Sequence, residues 1–74
     1  MKLKLKKHFE RNCNSNEELI GLKVVTLDGD VYYINDFDRF TNSDELPRSV
    51  WVAKKPDTLY GWSKDSDELY VEIS

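Results

Sequence analysis

Two apolar, β-branched runs with a turn signal between them constrain this chain more than any other feature. Leu22-Lys23-Val24-Val25-Thr26-Leu27 and Val31-Tyr32-Tyr33-Ile34 flank Asp28-Gly29-Asp30. Asp-Gly between such runs predicts a β-hairpin, because a type I′ turn requires positive φ at both central residues. A chain built around this hairpin needs further strands, since an isolated hairpin is marginal in water.

The rest of the sequence supplies them. Residues 2–9 alternate, with Leu3, Leu5 and Phe9 on one face and Lys2, Lys4, Lys6 and His8 on the other, a pattern that predicts a half-buried strand. Lys7 interrupts the apolar side. Ser15 precedes Glu18 at capping-box spacing, and Gly21 stands where a left-handed C-cap would end one helical turn over 17–20. Residues 41–47 read as turn chemistry, with a helical turn capped by Asn42 or Ser43. Strands are predicted at 49–53, 58–62 and 68–73, separated by turns at Lys54–Asp57 and Lys64–Asp67. About six short strands at this turn spacing predict a mainly β domain, an SH3-like or OB-like small barrel. The alternative is a bent antiparallel meander sheet with one short helix across it.

Size limits what can stabilise such a fold. At 74 residues the chain is expected to form one domain, with a core that supplies only about 3–5 kcal/mol. One cysteine, Cys13, permits no internal disulfide, and one histidine, His8, permits no His/Cys zinc site within the chain. Stability must then come from burial, helped by nine aromatic residues, or from self-association, so a homodimer is one expected state. The free thiol fits a reducing cytoplasm. No run approaches the roughly 20 apolar residues of a membrane span, and the basic start lacks the apolar stretch of a secretory signal. The expected location is cytoplasmic, with no membrane partner.

Charge is unevenly distributed. Lys2, Lys4, Lys6, Lys7 and Arg11 against Glu10 leave residues 1–11 at +4, while residues 12–74 carry −7. A basic end on an acidic body steers charged partners, and alternating lysines also protect an exposed edge strand from pairing.

Catalytic chemistry is poorly supplied. Cys13 lies among asparagines, without the cationic neighbours or helix N-terminus that activate a thiolate. Asp36, Asp38, Asn42 and Asp44 suggest a calcium loop, but counting from Asp36 places Phe40, Thr41 and Pro47 where an EF-hand needs an oxygen ligand, glycine and glutamate. Gly21, Gly29 and Gly61 are too scattered for a phosphate-binding loop. The chain is expected to be no enzyme and to hold no metal or cofactor.

The aromatic residues carry the positive expectation. Strand alternation sets Trp51 opposite Val50 and Val52, Tyr60 and Trp62 opposite Leu59, and Tyr70 opposite Leu69 and Val71. With the aliphatic residues inward, Trp51, Tyr60, Trp62 and Tyr70 line an outer surface suited to a protein partner or to stacked bases. A local likeness points the same way. Leu27-Asp28-Gly29 followed by Phe37-Asp38-Arg39-Phe40-Thr41-Asn42 resembles the first motif of Sm-like RNA-binding barrels. The resemblance implies that Asp38 and Asn42 contact a nucleotide, with Phe40 between them. It departs from that family in lacking the glycine midway along the second strand, the aliphatic run after the asparagine, and the second, glycine-bearing motif, and in a segment from Gly29 to Phe37 that is about two residues short.

The sequence therefore predicts a protein-interaction module, accessory or inhibitory to a larger partner. The expected contact residues are Trp51, Tyr60, Trp62 and Tyr70, with Lys2, Lys4 and Lys6. Single-stranded nucleic acid bound by the same lysines beside the rings is the alternative, ranked second because the chain as a whole is acidic.

Overall fold

The computed structural model describes residues 1–73. In chain order its elements are β1 (Lys2–Lys4), α1 (Leu5–Asn12), a 3-10 turn (Asn16–Leu19), β2 (Lys23–Thr26), β3 (Val31–Phe37), β4 (Ser49–Ala53), β5 (Trp62–Asp65), a second 3-10 turn (Ser66–Glu68) and β6 (Leu69–Glu72). The six strands make one antiparallel sheet in the order β1-β6-β2-β3-β4-β5. Strands β2 to β5 form a meander, and β6 returns to pair with β2 on one side and β1 on the other. β1 and β5 are the two edges, with no ladder between them, so the sheet is open. The mainly β class holds, and the meander with a helix across it describes this sheet. No helix among the described residues is long and apolar enough to cross a membrane.

One face of the sheet is covered. Val24, Ile34, Val50, Val52, Leu69 and Val71 pack with Leu5 and Phe9 of α1 and Leu19 of the first 3-10 turn. The strand predicted over 2–9 is corrected here: it stops at Lys4 and continues as helix. Leu5 and Phe9 are four apart, a spacing that lies on one face of a strand and equally of a helix. The helix wins because Lys7, which a strand would turn toward the core, becomes exposed, while Leu5 and Phe9 both remain buried.

The hairpin forms at β2–β3 with a different turn. Gly29 N–H donates to Thr26 O (3.0 Å) and Thr26 N–H to Asp30 O (2.9 Å), and only Gly29 has positive φ (+93°), not Asp28. This is the three-residue loop that ends in a left-handed glycine rather than a two-residue type I′ turn. The helical turn near residue 17 also forms. Glu18 carboxylate accepts from the Ser15 N–H at 3.0 Å and from that of Asn14, and Gly21 takes φ +87°. Buried Asn16 ties this turn to the 41–47 loop, its Nδ2 donating to Asn42 O (3.0 Å) and its N–H to Ser43 O (2.8 Å).

β4 occupies 49–53 as predicted, but the following strand does not occupy 58–62. β5 begins only at Trp62 and runs through Lys64 and Asp65, where a turn was predicted. Two tertiary contacts hold residues 58–61 out of the sheet. Asn35, the extra residue of a β-bulge in β3, donates from Nδ2 to Thr58 O (2.6 Å) and Tyr60 O (3.0 Å). Those carbonyls are thus satisfied away from any ladder. The turn is displaced to Ser66–Glu68, where Asp65 accepts from Asp67 N–H (2.9 Å) and the buried Ser66 hydroxyl lies 2.6 Å from Pro47 O.

Candidate functional site

Register decides which rings share a face. Directly paired residues of an antiparallel ladder project to the same side. Trp62 pairs with Val52 and therefore belongs to the covered face, whereas Trp51 pairs with Ser63 and belongs to the other. The two tryptophans, expected together, lie on opposite faces at the β4–β5 end. The shifted start of β5 is the cause, since it changes which residues of 58–62 stand in register with β4.

The loop over 58–61 joins these faces as a crest. Leu59 is 94% exposed and Tyr60 85%, although Asn35 pins the backbone on both sides of Leu59. On one side, Trp51 (45% exposed), Leu59, Tyr60 and Asp36 border a shallow depression of about 260 Å3. On the other, Tyr60, Trp62, Lys54 and Lys55 border one of about 370 Å3. Trp62 meets Tyr32 edge-on, with ring centroids 6.3 Å apart. The same Tyr32 ring carries the Lys54 ammonium at 4.3 Å and the Lys64 ammonium at 5.6 Å from its centroid. These cation–π contacts keep two lysines beside the aromatic cluster, with Lys55 nearby. Lys54 also lies 4.0 Å from Asp30, a long, exposed pair that holds it weakly.

The remaining predicted contact residues lie elsewhere. Lys2 and Lys4 are on β1, opposite Glu72 and Tyr70, so Tyr70 shares a face with Lys4. β1 and β5 stand at the two ends of the strand order, and the sheet curls between them, so that Lys64 of β5 and Tyr70 of β6, the strand beside β1, border one depression of about 420 Å3. The lysine strand and the Trp51–Tyr60–Trp62 cluster still occupy opposite ends of the strand order. Lys6 is on α1 and borders a third depression with Glu45, Arg48 and Asp67, where charges of both signs mix.

Asp38 and Asn42 are engaged within their own loop. The Asp38 carboxylate accepts from Phe40 N–H (3.0 Å), and the Asn42 side-chain amide donates to Glu45 at 3.4 Å. Phe40 between them is fully exposed. Asp36 is likewise occupied, by Phe37 N–H (2.8 Å) and Arg39 Nε (3.1 Å). Among the described residues, no three His, Cys, Asp or Glu side chains converge as metal ligands. Cys13 is half-buried against the core, and burial first, then the Glu18 carboxylate, push its thiol pKa up, opposite to what an activated nucleophile needs.

Sequence reasoning missed Asn35 and Leu59. Gly61 carried the available signal: a glycine inside a strand pattern marks a close backbone approach. A Cβ at Gly61 would lie 2.6 Å from the Val52 carbonyl oxygen and 3.0 Å from the Asn35 amide. No family model matches this chain, and neither does any curated protein or solved structure.

Proposed function

We propose that this chain is a non-catalytic, cytoplasmic protein-interaction module, accessory or inhibitory to a larger partner that docks on the crest formed by Trp51, Leu59 and Tyr60. The observation that carries the reading is the exposure of Leu59 and Tyr60 on a backbone clamped by Asn35. Large apolar side chains held in water on a fixed loop lose little conformational freedom on binding, which is how anchors at interface centres gain affinity. The acidic body, −7 over residues 12–74, steers a basic partner toward the molecule, while Lys54 and Lys55 flank the crest itself. A partly open small barrel, SH3-like or OB-like, belongs to the same proposal. It draws support from β6 returning beside β2, the first step by which a meander begins to close.

Nucleic-acid binding ranks second. A single groove using Lys2 and Lys4 together with Trp51 and Trp62 would have to draw on both edge strands and on both faces of the sheet, and phosphate contacts need their positive charge close to the stacked bases. The test uses wild type and the Trp51→Ala/Tyr60→Ala double variant as parallel baits, with circular dichroism confirming the fold of both. A protein retained by wild type should bind the purified variant at least about tenfold more weakly, the loss of one or two anchors at roughly 1–2 kcal/mol each. Equal affinity for both would overturn the reading, as would a single-stranded oligonucleotide that binds wild type and releases as salt rises.

A further inference from the structure

The two edges of the sheet differ in how they are protected. β1 is three residues long and carries Lys2 and Lys4, the alternating lysines that oppose edge pairing. β5 spans Trp62-Ser63-Lys64-Asp65 with no proline, and it is the last strand of the sheet on its side. Its hydrogen-bonding phase follows from the neighbouring bonds. Ser66 N–H donates to Arg48 O (2.9 Å), so Lys64 and Trp62 face β4 by the two-residue alternation, and the N–H and C=O of Ser63 and Asp65 point away from the sheet.

We propose that a second copy of this chain pairs with that edge, β5 against β5 in antiparallel sense, to give one continuous twelve-stranded sheet about a two-fold axis. The strand is self-complementary in one register. With Ser63 opposite Ser63 of the other copy, the outward groups exchange two backbone hydrogen bonds. Each Trp62 then stands opposite the other copy's Lys64, an aromatic–cation pair formed twice. Shifting the centre to Lys64 sets two lysines face to face, and shifting it to Asp65 sets two aspartates face to face. A centre at Trp62 would need residues 60–61 extended, which the Asn35 clamp and the tight seat of Gly61 oppose. Pairing β5 with β1 instead would be head-to-tail and open-ended, and the β1 lysines stand against it.

The interface is small. Two four-residue strands bury less than the roughly 800 Å2 per partner of a standard interface, so the pairing is weak and populated only at high protein concentration. It leaves Trp51 and Leu59 free, so it stands independently of the partner surface proposed above.

Sedimentation equilibrium from micromolar to millimolar protein should show the mass rising from 8.7 kDa toward twice that value. Ser63→Pro removes an outward N–H and no bond to β4, a place where edge strands tolerate proline. It should remain monomeric with an unchanged circular dichroism spectrum. Amide exchange on wild type gives a second reading that does not depend on that variant folding. The Ser63 N–H should become protected as concentration rises, and Lys64→Glu should weaken association about tenfold, because two cation–π contacts are lost and a carboxylate then faces the negative face of each Trp62 ring. A monomer at all concentrations would overturn the proposal. So would a dimer in which the Ser63 N–H exchanges freely.

Discussion

Asn35 offers the sharpest perturbation, because one side chain both leaves the β3 ladder and holds the crest. Its Nδ2 donates one N–H to Thr58 O at 2.6 Å and the other to Tyr60 O at 3.0 Å. Two neutral hydrogen bonds at about 0.5–1.5 kcal/mol each set an upper range of about 1–3 kcal/mol for Asn35→Ala. The Tyr60 carbonyl is exposed enough for water to replace its bond, which places the expected loss at about 1–2 kcal/mol. For a domain of this size that is a fall in Tm of roughly 4–8 °C per kcal/mol. Asn35→Asp should be worse than alanine, since an acceptor-only carboxylate would then face two carbonyl oxygens at hydrogen-bond distance. Thermal unfolding followed by circular dichroism measures the global term. Amide exchange at residues 58–61 measures the local one, with about tenfold faster exchange for each 1.4 kcal/mol lost. Two results would refute the reasoning: an aspartate variant as stable as wild type, or an alanine variant whose loop exchanges no faster.

Further outcomes follow at Gly61 and at Cys13. Gly61→Ala should destabilise by about 1–3 kcal/mol, because its Cβ would meet the backbone carbonyl of Val52 at 2.6 Å, and backbone cannot yield as a side chain can; urea midpoints compare it with wild type. Cys13 should alkylate more slowly in the native protein than in urea, since burial and Glu18 raise its pKa in the folded state alone. The sign of the stability effect follows. Below the ordinary thiol value the group is protonated in both states and the full stability is present. As pH rises through that value toward the folded one, the unfolded chain ionises first and stability falls. Denaturation midpoints at pH 8 and pH 10 should therefore drop further for wild type than for Cys13→Ser, and equal drops would rule the linkage out.

Much of the candidate site was legible as residue types and little of it as geometry. Trp51, Tyr60 and Trp62 stand out in the sequence, and they do gather at one end of the sheet. Their faces depend on where β5 begins, and a one-residue change of register moves every side chain of a strand to the other side. Thr58-Leu59-Tyr60-Gly61-Trp62 reads as a strand by composition. It is prevented from becoming one by an amide 23 residues away in the chain, at a bulge that no local pattern announces.

The readable part was local. The hairpin at Asp28-Gly29, the turn introduced by Ser15 and Glu18, the 49–53 strand and the inward Leu69 and Val71 all rest on short-range chemistry: β-branching, a left-handed glycine, a reciprocal cap, alternation. Long-range packing settles the rest wherever two local readings are equally good. Leu5 and Phe9 suit a strand or a helix, and the helix keeps both in the core with Leu69 and Val71 while turning Lys7 out to water. Whether six strands close into a barrel or remain an open sheet depends on whether the two edges meet, a long-range relation that no window of residues encodes. The sheet stays open, and its two edges are left with different chemistry, one lined with lysines and the other with Trp62 and outward-facing backbone.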